Sequence, residues 1–155
     1  MLADLIVVHA DQLLTMAAPD GATGAFHGHD QSRIGLVEDG AIACHEGMIV
    51  AVGTTEEILA SVRETEDAVT VDARGKVLTP GLVDAHTHLV FGGTREREFE
   101  LRARGATYAE ILAAGGGIHS TVRATREATR AELLTLAIRR AQTMLEHGTT
   151  TIEAK

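Results

Sequence analysis

Apolar residues follow two rhythms along this chain. Up to about residue 79 they form short runs of strand length, at 5–8, 13–16, 34–37, 41–44, 48–52, 68–71 and 76–78. Turn-forming segments separate them: Ala10-Asp11-Gln12, the stretch 19–32, Glu38-Asp39-Gly40, His45-Glu46-Gly47 and Asp72-Ala73-Arg74-Gly75. Short apolar runs between turn signals predict antiparallel hairpins. One helix interrupts them: Thr54-Thr55-Glu56-Glu57 has the form of a capping box and opens a helix reaching residue 62.

From residue 80 the rhythm changes. Thr79-Pro80-Gly81 introduces a strand over 82–88 with an apolar start and a polar end, followed by a Gly-Gly-Thr loop and a charged stretch to Gly105. Thr107 is an N-cap for a helix over 108–114, which Gly115-Gly116-Gly117 terminates. The longest helix starts at Thr129, with Glu132 completing a capping box. Leu133, Leu134, Ala137, Ile138, Ala141, Met144 and Leu145 form its apolar stripe. His147-Gly148 closes it, and a strand over 149–153 follows. The region thus predicts a strand, two helices and a second strand. Two domains are expected, 1–79 and 80–155.

Composition narrows the function classes. Aromatics are 3% of the 155 residues, so the core must be aliphatic. The single cysteine, Cys44, excludes an internal disulfide and a four-cysteine zinc site; it is expected as a small strand residue. Residues 1–79 hold 13 acids and 4 bases, whereas 80–155 hold 9 acids and 10 bases. An acidic front half argues against a nucleic-acid partner. No apolar run approaches the roughly 20 residues of a membrane span, and the N-terminus lacks a basic n-region. The expectation is a cytoplasmic protein with neither nucleic acid nor membrane as partner.

The chemistry concentrates at His86-Thr87-His88. Residues i and i+2 of a strand share a face, so two imidazoles converge at the reach of a metal–nitrogen bond of about 2.0–2.1 Å. The pair ends an apolar strand that feeds a glycine loop, the end that faces the active site in a (β/α)₈ barrel. Asp84 would share that face one step deeper. A second His-x-His, His27-Gly28-His29, lies in a glycine-rich loop that fixes neither ring. His9, His45, His119 and His147 are expected at the surface or at helix caps.

The segment Thr79-Pro80-Gly81-Leu82-Val83-Asp84-Ala85-His86-Thr87-His88 resembles the first-strand signature of the metal-dependent amidohydrolases. The segments 88–99, 115–126 and 148–155 narrow the resemblance to the imidazolonepropionase family. It implies an α/β fold, a (β/α)₈ (TIM) barrel preceded by a small β-sandwich-like domain. It further implies hydrolysis of 4-imidazolone-5-propanoate to N-formimidoyl-L-glutamate in histidine degradation. One Zn or Fe ion would activate the attacking water. By the same resemblance His86 and His88 match two metal ligands, and Arg95 matches the position that contacts the substrate carboxylate. A guanidinium fork suits a propionate. On the residues alone, Arg95 would equally be a solvated member of the run Arg95-Glu96-Arg97-Glu98, and Arg97, Arg102 and Arg104 surface charges. The glycine triplet is either a helix stop or a place where backbone approaches a ligand.

A whole barrel takes about 200–250 residues, and 76 follow residue 79. Both domains are therefore expected to be partial here. The family's remaining ligands and its acid–base groups have no counterpart in this stretch, so no catalytic acid or base is assigned. The isolated chain is expected to be inactive, as a truncated or expressed fragment would be. The alternative is another cyclic-amidine or amide amidohydrolase, or a deaminase sharing the strand signature. A homo-oligomer of the complete enzyme is left open.

Overall fold

The computed structural model describes residues 1–17, 21 and 26–155, which divide into compact units 1–80 and 81–155. Part of the loop expected over 19–32 therefore lies outside the described residues. Its last portion, Gly28–Ser32, is a turn of 3₁₀ helix carrying the exposed His29.

The first unit is one mixed five-stranded sheet. β1 (Leu2–Leu14) lies between β2 (Leu36–His45) and β4 (Arg63–Asp72), β3 (Met48–Thr54) pairs with β2, and β5 (Val77–Leu78) adds to β1. α1 (Thr55–Ser61) packs on β2 and β3. Ala3, Ile6, Val8, Ala41, Ala43 and Ile58 form the buried core. Alanines on the strands leave room for the Ile58 side chain of α1, so a short helix closes an aliphatic core without aromatics. The β2–β3 hairpin turns through Glu46 and Gly47, both at positive φ (49° and 78°), as the sequence predicts.

Three expectations in this unit are corrected. The runs 5–8 and 13–16 belong to a single strand, because a bulge absorbs the polar interruption. Val7 faces Ile42 while Ala10 faces Gly40, so β1 carries one extra residue. The expected turn at 38–40 is the opposite side of that bulge, inside a continuous β2. His9 (φ 58°) and Asp39 (φ 45°) take the left-handed conformation there, costly for residues with a side chain. The buried Thr55 hydroxyl offsets this: it accepts the His9 N–H at 2.9 Å and donates to the Asp39 carbonyl at 3.0 Å. The His9 Nδ1 also stands 3.0 Å from Asp39 Oδ1. Finally, β4 and β5 run parallel to β1, not as hairpins: α1 carries the chain from β3 to the far edge of β1, and the 72–75 turn only steps it forward along that edge from β4 to β5.

In the second unit β6 (Leu82–Thr87) and β7 (Thr149–Ala154) pair in parallel. At Gly81 they approach so closely that a Cβ would overlap the Thr150 side chain. Four helices connect them: α2 (Glu96–Ala103), α3 (Tyr108–Ala113), α4 (Ile118–Glu127) and α5 (Arg130–Glu146). The sequence predicts only α3 and α5. Neither α2 nor α4 buries a residue; α2 has little apolar periodicity, while α4 does set Ile118 and Val122 one turn apart, a short signal that sequence reasoning passed over.

Capping boxes open α1, α3 and α5. The Thr54, Thr107 and Thr129 hydroxyls accept the backbone N–H of Glu57, Glu110 and Glu132, whose carboxylates accept the threonine N–H in return. Those backbone donors, and then the threonine side chains, hold the three carboxyls below the ordinary glutamate range. His147 caps the end of α5, its Nδ1 lying 2.7 Å from the Thr143 carbonyl oxygen, and Gly148 follows at φ 90°.

Candidate metal centre and substrate cleft

His86 is the last residue but one of β6, and His88 is the first residue beyond the strand. Their ring centres are 5.5 Å apart, with the planes inclined by 60°. One ion held by both nitrogens at about 2.0–2.1 Å would place the ring centres about 5 Å apart, a spacing close to the one observed. Both rings are exposed. A second bulge shapes this end of the strand: Asp84 faces Ile152 but Thr87 faces Ala154, which leaves one extra residue on β6 between them. Bulges re-aim side chains, and this one sits beside His86. Asp84 Oδ1 accepts the His86 N–H at 3.0 Å, and the Thr87 carbonyl accepts the Lys155 N–H at 2.8 Å. The nearest acid thus holds the bulged backbone.

The donor set fits part of a metal site. Two imidazoles suit zinc or iron, and catalytic zinc uses about three protein ligands. Among the described residues no three His, Cys, Asp or Glu side chains converge on one point. His27 is the N-cap of the 3₁₀ turn and His29 lies within it, so neither is on a strand. Cys44 is a half-buried strand residue; burial, and then the charge of Asp4, push its thiol pKa up, away from nucleophilic duty.

Arg95 is the N-cap residue of α2, and its carbonyl accepts the Glu98 N–H at 3.0 Å. Its side chain is exposed and makes no ion pair among the described residues. It lines an open cleft of about 920 Å³ together with His88, Tyr108, Thr121, Arg126 and Arg140. The one acid on that wall, Glu96, accepts a 2.6 Å hydrogen bond from the Thr94 hydroxyl. Three guanidiniums and one carboxylate line the cleft, so its charged lining is cationic in balance. Arg104, expected as a surface charge, pairs with Glu100 along α2.

The glycine triplet has a structural task. Gly115 ends α3 at φ 80°, and Gly117 starts α4 at φ 65°, ψ −146°, a region essentially reserved for glycine. The Gly117 N–H donates to Glu98 Oε1 at 2.8 Å, which ties α2 to the head of α4.

Sequence reasoning missed Tyr108, Arg126 and Arg140 as cleft residues. Arg140 alone left a signal, since its spacing from Ala137 and Met144 puts a charge on the apolar stripe of α5.

A family model described as the amidohydrolase family matches residues 69–151. The imidazolonepropionase of Brevibacillus brevis is 47% identical over 148 residues, which covers 95% of this chain and 34% of that protein. The imidazolonepropionase of Symbiobacterium thermophilum is 47% identical over 152 residues, covering 98% of this chain and 35% of that protein. The chain thus spans about a third of the length of the curated relatives it matches. Among solved structures, Escherichia coli guanine deaminase superposes with a TM-score of 0.54 at 19% identity, over 96% of this chain and 29% of that one, a likeness of fold.

Proposed function

The chain belongs to the amidohydrolase family, and from that premise we propose that it supplies the first third of an imidazolonepropionase. The identity of 47% with two curated enzymes of that name, sustained across nearly the whole chain, carries this reading. The complete enzyme hydrolyses 4-imidazolone-5-propanoate to N-formimidoyl-L-glutamate. Residues 1–79 then belong to a sandwich-like domain, and 80–155 begin a (β/α)₈ barrel in the cytoplasm. The parallel pairing of β6 with β7 and the helices between them support the barrel assignment.

Within that enzyme His86 and His88 are two ligands of one Zn or Fe ion. When bound, such an ion makes water nucleophilic near neutral pH. This chain's own residues hold the two imidazoles near chelating separation and offer a cationic wall beside them. Arg95 takes the propionate carboxylate through a charge-assisted, bidentate contact, leaving the ring of the substrate toward His88. The cleft they share with Arg126 and Tyr108 supports that division of labour. No third ligand joins the histidine pair among the described residues, so in this proposal the further ligands belong to the part of the enzyme outside them.

The test fuses this chain to the remaining two thirds of a curated relative and supplies zinc or iron. The fused enzyme is expected to hydrolyse imidazolone propionate, and the 155-residue chain alone to be inert. A fused enzyme that folds and loads metal but deaminates guanine or cytosine, leaving imidazolone propionate untouched, would overturn the assignment. Turnover by the chain alone would overturn the need for further ligands.

A further inference from the structure

The segment that links His88 to Arg95 is held by a side chain from far along the sequence. Arg140, half-buried in the middle of α5, donates through Nη1 to the Leu89 carbonyl and to the Phe91 carbonyl, both at 2.9 Å. Its guanidinium carbon also lies 3.5 Å from the centre of the Phe91 ring, a stacked cation–π contact. Both bonds leave one nitrogen of the guanidinium, and the rest of its plane is free to lie over the ring, a geometry that a compact ammonium reproduces only in part. Leu89 directly follows His88, so this grip fixes the direction in which the chain leaves the second imidazole. It is reinforced nearby, where the Gly92 N–H donates to the Thr125 hydroxyl at 2.9 Å.

We propose that Arg140 is a positioning residue of this site. By clamping 89–91 onto α5 it holds His88 at chelating distance from His86 and sets Arg95 on the wall of the same cleft. Its charge is directed at backbone carbonyls, whose dipoles it neutralises, and it carries no part of the reaction itself. Supporting groups of this kind are worth about 10–100-fold in metal affinity. The role rests on the reading of His86 and His88 as ligands.

The test uses Zn²⁺ alone, titrated into the chain while the histidine ring signals are followed by NMR. In the wild type the His86 and His88 signals are expected to shift together. Arg140→Met should weaken that shared transition at least about tenfold and uncouple the His88 signal from the His86 signal. Arg140→Lys, which keeps the charge but not the plane, should recover part of the affinity and leave binding about threefold weak. A uniform loss of structure would lower both signals together and could not produce that uncoupling. Unchanged affinity and an unchanged His88 signal in Arg140→Met would overturn the proposal. If that variant loses its helical far-UV signal, Arg140→Lys decides: weakened zinc binding supports the role, wild-type binding refutes it. His86→Ala tests the underlying ligand reading separately. Zinc bound at His88 as tightly in His86→Ala as in the wild type sinks that reading, whatever Arg140 does.

Discussion

The two units keep their order by different means. Unit 1–80 has a closed aliphatic core around Ile6, which is 1% exposed, and holds none of the candidate site residues. Unit 81–155 holds all of them, yet Ile111 and Ala137 are its only buried apolar side chains among those described. Val83, Leu134, Ile138 and Leu145 on its strand and long helix are exposed. What fixes the site is a set of polar clamps: Arg140 on two carbonyls, Thr125 on Gly92, Glu98 on Gly117, and the capping boxes. Within these residues hydrogen bonds, more than apolar burial, hold the segment that carries His88 and Arg95.

The sharpest test of this division removes a ligand. His86→Ala is expected to eliminate zinc binding at the pair, a loss beyond the roughly 100-fold that a mere supporting group would cost. Isothermal titration of zinc reads the loss, and the urea midpoint of the chain should stay put, since the ring is exposed and buries nothing. A fall in that midpoint would mean that the histidine pair holds structure.

Truncating apolar side chains should separate the units next. Ile6→Ala opens a cavity in a packed core and should cost about 2–5 kcal/mol. Ile138→Ala, on an exposed helix face, should cost less than about 0.5 kcal/mol. Denaturant unfolding followed by amide signals of each unit distinguishes the two. Equal losses would contradict the contrast in burial.

A smaller effect belongs to Arg95. In the fused enzyme Arg95→Ala should raise KM for the propionate substrate about 10–100-fold, from the loss of a charge-assisted contact of about 1.5–3 kcal/mol, with kcat and stability little changed. An unchanged KM removes Arg95 from substrate binding and returns it to the solvated charge run.

What the sequence made legible follows from the range of each interaction. The Thr54, Thr107 and Thr129 caps and the Gly148 stop are local signals, and each stands where the spacing puts it. The proximity of His86 and His88 was legible from their two-residue spacing, and their ring centres lie 5.5 Å apart, but the bulge beside them was not legible. The β1 bulge was hidden because it needs Asp39 and Thr55 to hold His9 at positive φ, and no local pattern announces that. α2 was hidden for the opposite reason: Phe99 is 78% exposed, and a helix without a buried stripe has no period to detect. Arg140 showed only as a misplaced charge, its partners Leu89 and Phe91 lying some fifty residues upstream.

The smallest effect concerns acid. Glu57, Glu110 and Glu132 all have carboxyls lowered by backbone, and then side-chain, hydrogen bonds at their caps. A lowered folded pKa adds stability that is complete above the unfolded value, about 4.3 for glutamate, and is lost as pH falls through the folded value. Below that window each box loses its carboxylate acceptor. The units should respond unequally, because α1 also anchors itself through buried Thr55 and Ile58, while α5 buries only Ala137. Amide protection at the start of α5 should therefore fall at a higher pH than at the start of α1. Glu132→Gln keeps a capping-box side chain that does not titrate. In that variant the α5 amides should lose their acid dependence while those of α1 keep theirs. Identical acid profiles for both helices would mean that the caps, not burial, set the strength of either unit.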